Sequence, residues 1–154
     1  MVRPGAQHLS PHQRVLVHAC GWLLLASGLV WLGLHYLVGA GAGALPHPME
    51  AWTMRAHGLA AWVGAFALGE LAASHVPRGW HTTHRRRGYV QRRLGIVLCA
   101  LGALLVLSGY ALMYLVGEAS RPAWGWAHAI VGIAMAAVLL VHGSGALHHH
   151  RGGS

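Results

Sequence analysis

Two histidines in the last apolar stretch of the chain have a spacing that suits metal ligation. His128 and His142 stand fourteen residues apart in the run WAHAIVGIAMAAVLLVHG. At 100° per residue this spacing returns to nearly the same helix face, and at 1.5 Å per residue it separates the rings by about 21 Å. A bilayer's hydrocarbon core is roughly 30 Å thick, so a spanning helix would present one ring near each leaflet.

A histidine in lipid is costly unless a partner, a cavity or a cofactor compensates it. Neutral imidazole is a common ligand of haem iron, so two rings on one face predict two stacked haem groups. A single membrane histidine is more often a hydrogen-bonded packing residue, and we interpret His35 in that way.

The composition is that of a membrane protein. Of the 154 residues, 55% are hydrophobic and only 9% are charged. All 11 of the lysine and arginine positions are arginine, and these residues give the chain its net charge of +8. Nucleic-acid binders do not bury this much apolar sequence, so we expect no nucleic-acid partner and interpret the arginines as topology signals. The two cysteines lie inside apolar runs and predict no disulfide framework.

Four apolar runs predict an all-α membrane protein with helices at about 15–38, 51–76, 94–116 and 123–148. Residues 1–14 precede this single domain (15–148), and residues 149–154 follow it as a tail. The first run is too long for a signal-peptide core, which spans about 7 to 15 residues, and Pro77 is expected to end the second. Short connections predict an up-down-up-down transmembrane bundle.

The arginines are distributed unequally between the two predicted sides of the membrane. Only Arg55 and Arg121 lie on one side. The other side carries nine: Arg3, Arg14, Arg78, Arg85, Arg86, Arg87, Arg92, Arg93 and Arg151. The positive-inside rule therefore predicts that both termini are cytoplasmic, and an aromatic belt of tryptophans is expected at the outer interface.

This topology gives each histidine a depth. His57 is level with His128 near the outer surface, and His18 matches His142 near the cytoplasmic surface. Two bis-histidine sites result, which fill both axial positions of each iron and predict one-electron transfer. His75 competes with His18, but it lies beside Pro77 at the membrane exit, so we predict that it is not a ligand.

Other polar residues support this prediction or leave alternatives open. Haem propionates need cations, for which Arg55 and Arg121 are the outer candidates and Arg14 the inner one. Glu70 is either a proton relay or quinone contact, or a structural hydrogen-bonding group, which we favour. The tract His148, His149 and His150 reads as a metal-binding sequence or as a set of interfacial cations.

These residues resemble the prokaryotic di-haem cytochrome b family, including cytochrome b561-like proteins and the membrane subunits of formate dehydrogenase and nickel-iron hydrogenase. The similarity covers about residues 14 to 147 and is carried mainly by MRAHGLAA and LSGYALMYLVGEASRPAWGWAHAIVGIAMAAVLLVHG. The resemblance implies two haem b groups, with one ligand from each of the first two helices (His18, His57) and two from the last (His128, His142).

The resemblance further implies a multi-pass protein of the bacterial cytoplasmic (inner) membrane that belongs to a respiratory chain. It would carry electrons between the quinone pool and a redox protein or larger oxidoreductase complex, as an electron-transfer subunit rather than a stand-alone enzyme. The main alternative is a non-catalytic membrane anchor or assembly subunit of a larger respiratory complex. A histidine-lined transporter is a third class, which broken helices or inverted repeats would favour.

Overall fold

The computed structural model describes residues 10–82 and 86–147, and this part of the chain is helical apart from its connecting loops. The four α-helices are α1 (Pro11–Gly33), α2 (Pro48–Thr82), α3 (Arg86–Tyr114) and α4 (Arg121–Leu147). A π-helical turn, Leu34–Val38, and a short 3₁₀ turn, Ala40–Ala42, continue from the end of α1. The predicted all-α class is confirmed.

Four segments have the length and apolarity to cross a membrane. They are Pro11–Ala42, Pro48–Ser74, Arg92–Tyr114 and Arg121–Gly143. No more than 17% of the residues in the most apolar window of each are buried within the protein. Apolar side chains therefore cover the helix surfaces, as expected where the surrounding medium is lipid rather than water. The prediction of four spans in a multi-pass membrane protein is confirmed at this level.

The helix ends differ from the predicted ones. Helix α1 begins at Pro11 because Ser10 and Gln13 form a capping box: the Ser10 hydroxyl accepts the Gln13 backbone N–H, and the Gln13 side chain accepts that of Ser10. The prediction that Pro77 ends the second helix is wrong, since α2 continues to Thr82. Proline removes one backbone hydrogen bond, a loss that membrane helices tolerate.

The first compact unit comprises residues Ser10–Leu68, and in it α1 packs against α2 through small side chains. Cys20, Ser27, Ala60 and Ala67 are the buried small side chains of these two helices. Gly64 has no side chain, and a Cβ built on it would lie 3.5 Å from Cδ1 of Leu24. Small residues let the two backbones approach closely, which is how helices associate without a hydrophobic driving force.

The second unit contains residues from Gly69 onward, and in it α3 and α4 run antiparallel. A Cβ built on Gly109 would lie 3.6 Å from the ring of His128, and one on Gly132 would lie 3.8 Å from Leu105. Moving four residues back along α3 thus moves the contact four residues forward along α4. This register places other residues of the pair opposite one another.

Candidate functional site

His57 is held by the first helix of its unit. It lies half-buried on α2, with its Nδ1 3.0 Å from the hydroxyl of Ser27 on α1. The carbonyl of Leu24 is a further hydrogen-bond partner. The next residue on α1 is Gly28, and a Cβ built there would lie 3.5 Å from Cε1 of the ring. The pair Ser27–Gly28 therefore anchors one ring nitrogen and brings the ring edge close to the backbone of α1.

The hydroxyl of Ser27 determines which nitrogen of His57 carries the proton. Its oxygen lies 2.6 Å from the carbonyl of Leu23, so its single hydrogen is donated there. Nδ1 of His57 must then be the donor to Ser27. The lone pair of this neutral ring is consequently on Nε2, as a metal ligand requires.

His128 repeats this arrangement in the second unit. Its Nδ1 lies 2.7 Å from the hydroxyl of Ser108, which also donates to the carbonyl of Leu105 at 3.3 Å. Gly109 follows Ser108 and approaches the ring edge, as Gly28 does for His57. Nδ1 of His128 is thus hydrogen-bonded to a serine hydroxyl of the preceding helix, as Nδ1 of His57 is.

A repeated sequence produces these two arrangements. Residues 21–28, GWLLLASG, and residues 102–109, GALLVLSG, share five of eight residues in one register. Each segment ends in Ser-Gly, and the following helix supplies an Ala-His pair that packs against it. Neither Ser27 nor Ser108 was predicted as a site residue, although this repeat in the sequence is a visible signal for both.

His18 is placed at a different level of α1 from His57. Its Nδ1 lies 2.7 Å from the carbonyl of Arg14, one turn earlier, and its side chain is exposed. A carbonyl only accepts, so this ring also carries its proton on Nδ1. His57 is level with Gly28, ten residues from His18, which corresponds to about 15 Å along the helix. His18 and His57 are therefore not brought together.

His142 is half-buried on α4, and its Nδ1 is shielded from solvent. The register of α3 with α4 places Gly95 opposite it, fourteen residues from Gly109 just as His142 is fourteen from His128. A Cβ built on Gly95 would meet no atom within 4 Å. The helix pair thus has open space on α3 at the level of its second histidine.

The predicted propionate partners are exposed and have local contacts of their own. The Arg55 guanidinium lies 4.9 Å from the centre of the Trp52 ring, and that of Arg121 donates to the Val116 carbonyl at 3.3 Å. Arg14 is exposed one turn before His18 on α1. The contacts of Arg55 and Arg121 hold both charges near the ends of their spans, where an anionic group at the membrane surface can reach them.

Several residues named from the sequence lie at or beyond the limits of the described structure. The tract His148 to His150 lies outside the described residues, as do the whole tail (149–154) and residues 1–9. His75 belongs to α2, and its side chain lies outside the described part. Glu70 is exposed on α2, where its backbone carbonyl accepts the hydroxyl of Ser74.

His35 and His47 each make a side-chain hydrogen bond whose partner the sequence did not predict. His35, interpreted as a hydrogen-bonded packing residue, donates from Nδ1 to the carboxylate of Glu50 at 2.9 Å. His47 is half-buried, and its Nδ1 accepts the backbone N–H of Met49 at 3.2 Å, so it caps the start of α2. Neither contact followed from helical periodicity.

Comparison of the chain with protein-family models, with curated proteins and with solved structures finds no match. The resemblance to di-haem cytochromes b therefore stays a prediction from the residues themselves.

Proposed function

We propose that this protein is a di-haem b-type cytochrome that carries electrons across a membrane between the quinone pool and a redox partner. The observation that carries the proposal is the duplicated Ser-Gly/His arrangement. Two histidines in separate units, His57 and His128, are each hydrogen-bonded through Nδ1 to a serine hydroxyl of the preceding helix. A packing histidine needs no particular tautomer, whereas a ligand that binds through Nε2 does.

The residues fit a haem in a second respect. Glycines adjoin both rings, Gly28 beside His57 and Gly109 beside His128, and Gly95 leaves open space at the level of His142. A flat macrocycle against a helix requires such missing side chains. Haem b, when bound, would supply reversible one-electron transfer between its ferric and ferrous states.

The ligands in this proposal are His18, His57, His128 and His142, with Arg14, Arg55 and Arg121 near enough to the span ends to neutralise propionates. We keep the pairing predicted from depth, in which His57 and His128 serve the outer haem and His18 and His142 the cytoplasmic one. With each iron held by two imidazoles, the chain's own residues would exclude oxygen and substrates from the metal.

The proposal includes an up-down-up-down arrangement with both termini in the cytoplasm of a bacterium. The nine-to-two distribution of arginines supports this orientation. In this setting the protein acts as an electron-transfer subunit and exchanges electrons with quinone or quinol and with a redox protein or larger complex.

Single alanine variants of the four ligands test the proposal. His57→Ala and His128→Ala should each remove the outer haem, and His18→Ala and His142→Ala should each remove the cytoplasmic one. Redox potentiometry followed by optical spectra distinguishes the two haems in each variant. Four variants that retain both haems would overturn the ligand assignment, and a colourless wild-type protein would favour a membrane anchor instead.

A further inference from the structure

Besides the four proposed ligands, the structure holds a second polar centre where α1 connects to α2. Oε2 of Glu50 accepts a hydrogen bond from Nδ1 of His35 at 2.9 Å, and Oε1 accepts the backbone N–H of His47 at the same distance. The side chains of His35 and Glu50 are 24% and 12% exposed. A carboxylate and an imidazole are thus held together at the end of an apolar span.

Only half of the Glu50 carboxylate is needed to start α2. His47 and Glu50 form a reciprocal cap, in which the His47 ring accepts the Met49 N–H and Oε1 of Glu50 accepts the His47 N–H. Oε2 takes no part in this cap and is directed to His35 instead. Capping of α2 therefore does not account for the hydrogen bond between His35 and Glu50.

The backbone around the pair is built to admit the carboxylate. His35 lies in the π-helical turn Leu34–Val38, a geometry that is rare and often found at functional sites. A Cβ on Gly39 would overlap Oε1 of Glu50, so only glycine fits there. Gly43 ends the following 3₁₀ turn with φ of 81°, a conformation that other residues rarely adopt.

The carboxylate sets the chemistry of the His35 ring. Because Nδ1 donates to the Glu50 carboxylate, the lone pair of the neutral ring is on Nε2. Within the described residues Nε2 has no hydrogen-bond partner. This nitrogen is therefore a strong acceptor for an acidic O–H group of a ligand.

The surroundings of the ring define the shape of that ligand. Trp31 stacks on His35 with ring centres 4.6 Å apart, and Tyr36 meets it edge-on at 4.8 Å. Nearby apolar side chains of the connection are strongly exposed, 78% for Leu37 and 87% for Leu45. The stacked Trp31 and His35 rings offer a flat aromatic surface that favours a flat ring, and the exposed apolar side chains favour a molecule that arrives from the bilayer.

We propose that the His35–Glu50 pair binds the head group of a lipid-soluble hydroquinone, with Nε2 of His35 accepting a hydrogen bond from the phenolic hydroxyl. The proposal rests on the proposed function for its choice of a quinone-pool ligand. Binding of this head group needs no haem, so the two proposals fail independently: haem content tests one and hydroquinone binding tests the other.

Saturation binding of radiolabelled decylubiquinol to the full-length protein in detergent, under argon, tests the site. His35→Phe keeps a flat ring beside Trp31 but removes the acceptor, so the affinity should fall about tenfold. Glu50→Gln removes the charge behind the ring and should weaken binding by roughly threefold. The probe with both hydroxyls methylated should bind weakly to the wild type and be indifferent to His35→Phe.

His47→Asn is the matched control, because asparagine is a good helix cap and retains the start of α2 without the imidazole. It should leave decylubiquinol binding unchanged, and circular dichroism checks that each variant keeps its helix content. Equal affinity of the wild type and His35→Phe, in correctly folded protein, would show that the pair only joins the two helices. The absence of saturable binding to the wild type would equally overturn the proposal.

Discussion

Replacing Ser27 or Ser108 by alanine tests whether the two Ser-Gly segments fix metal ligands. Each change deletes the hydroxyl that is hydrogen-bonded to Nδ1 of a histidine, at 3.0 Å in the first unit and 2.7 Å in the second. Leaving a buried donor without its acceptor costs about 1–3 kcal/mol. A ring freed from this bond can turn or change its tautomer, and haem binding then has to restore the orientation.

The structure predicts unequal effects at the two positions. His57 keeps the Leu24 carbonyl as a second acceptor, so Ser27→Ala should cost about 1 kcal/mol, or about fivefold in haem affinity. The Ser108 bond is shorter, and we expect a loss of about 2 kcal/mol, or roughly thirtyfold. Losses of this size are typical when a residue that orients a metal ligand is removed.

The assay is a titration of the haem-free protein with haemin, followed by Soret absorbance. Ser74→Ala is the matched control, because the Ser74 hydroxyl also donates to a carbonyl four residues earlier on its own helix, that of Glu70, but is not hydrogen-bonded to a histidine. The control should bind haem like the wild type. Unchanged haem affinity and unchanged reduced spectra in both Ser27→Ala and Ser108→Ala would show that these serines do not orient haem ligands.

Three further predictions concern the second site, the topology and the competing ligand. Gly95→Phe should keep the fold, because the space beside Gly95 is open, but lower the haem content towards one per chain, whereas Gly69→Phe, at an equally open position, should retain two. Haem quantification and circular dichroism check both variants, and two retained haems in Gly95→Phe would count against a haem at that level. Reporter fusions after Arg93 and at the C-terminus should report cytoplasm and a fusion near Pro48 the opposite side; the reverse pattern would exchange the labels of the two sites. His75→Ala should retain both haems in a potentiometric titration, and loss of one would make His75 a ligand in place of His18.

Much of the fold followed from hydropathy, because a spanning helix must satisfy its backbone internally and therefore appears as a long apolar run. The helix ends were less predictable. Helix α1 starts at Pro11 because of side-chain capping by Ser10, and α2 passes through Pro77 because one missing backbone hydrogen bond is a tolerable loss in a long apolar helix.

Only the relation between site residues on the same helix could be predicted from the sequence. The common face of His128 and His142 follows from the helical repeat alone. The partners of the rings come from other helices, so Ser27 and Ser108 required the register between neighbouring helices. The His35–Glu50 pair depends on a π-helical turn and on glycines in the connection, which periodicity does not reveal.

The most direct test of the central claim is the haem-to-protein ratio of the purified full-length chain, measured by the pyridine haemochrome method. We expect two haem groups per chain, with the low-spin b-type spectrum of bis-histidine iron after reduction by dithionite. Acid acetone should extract them, since the sequence has no C-x-x-C-H attachment motif. A ratio near one would leave a single haem site. A ratio near zero would contradict the proposal that the protein is a b-type cytochrome.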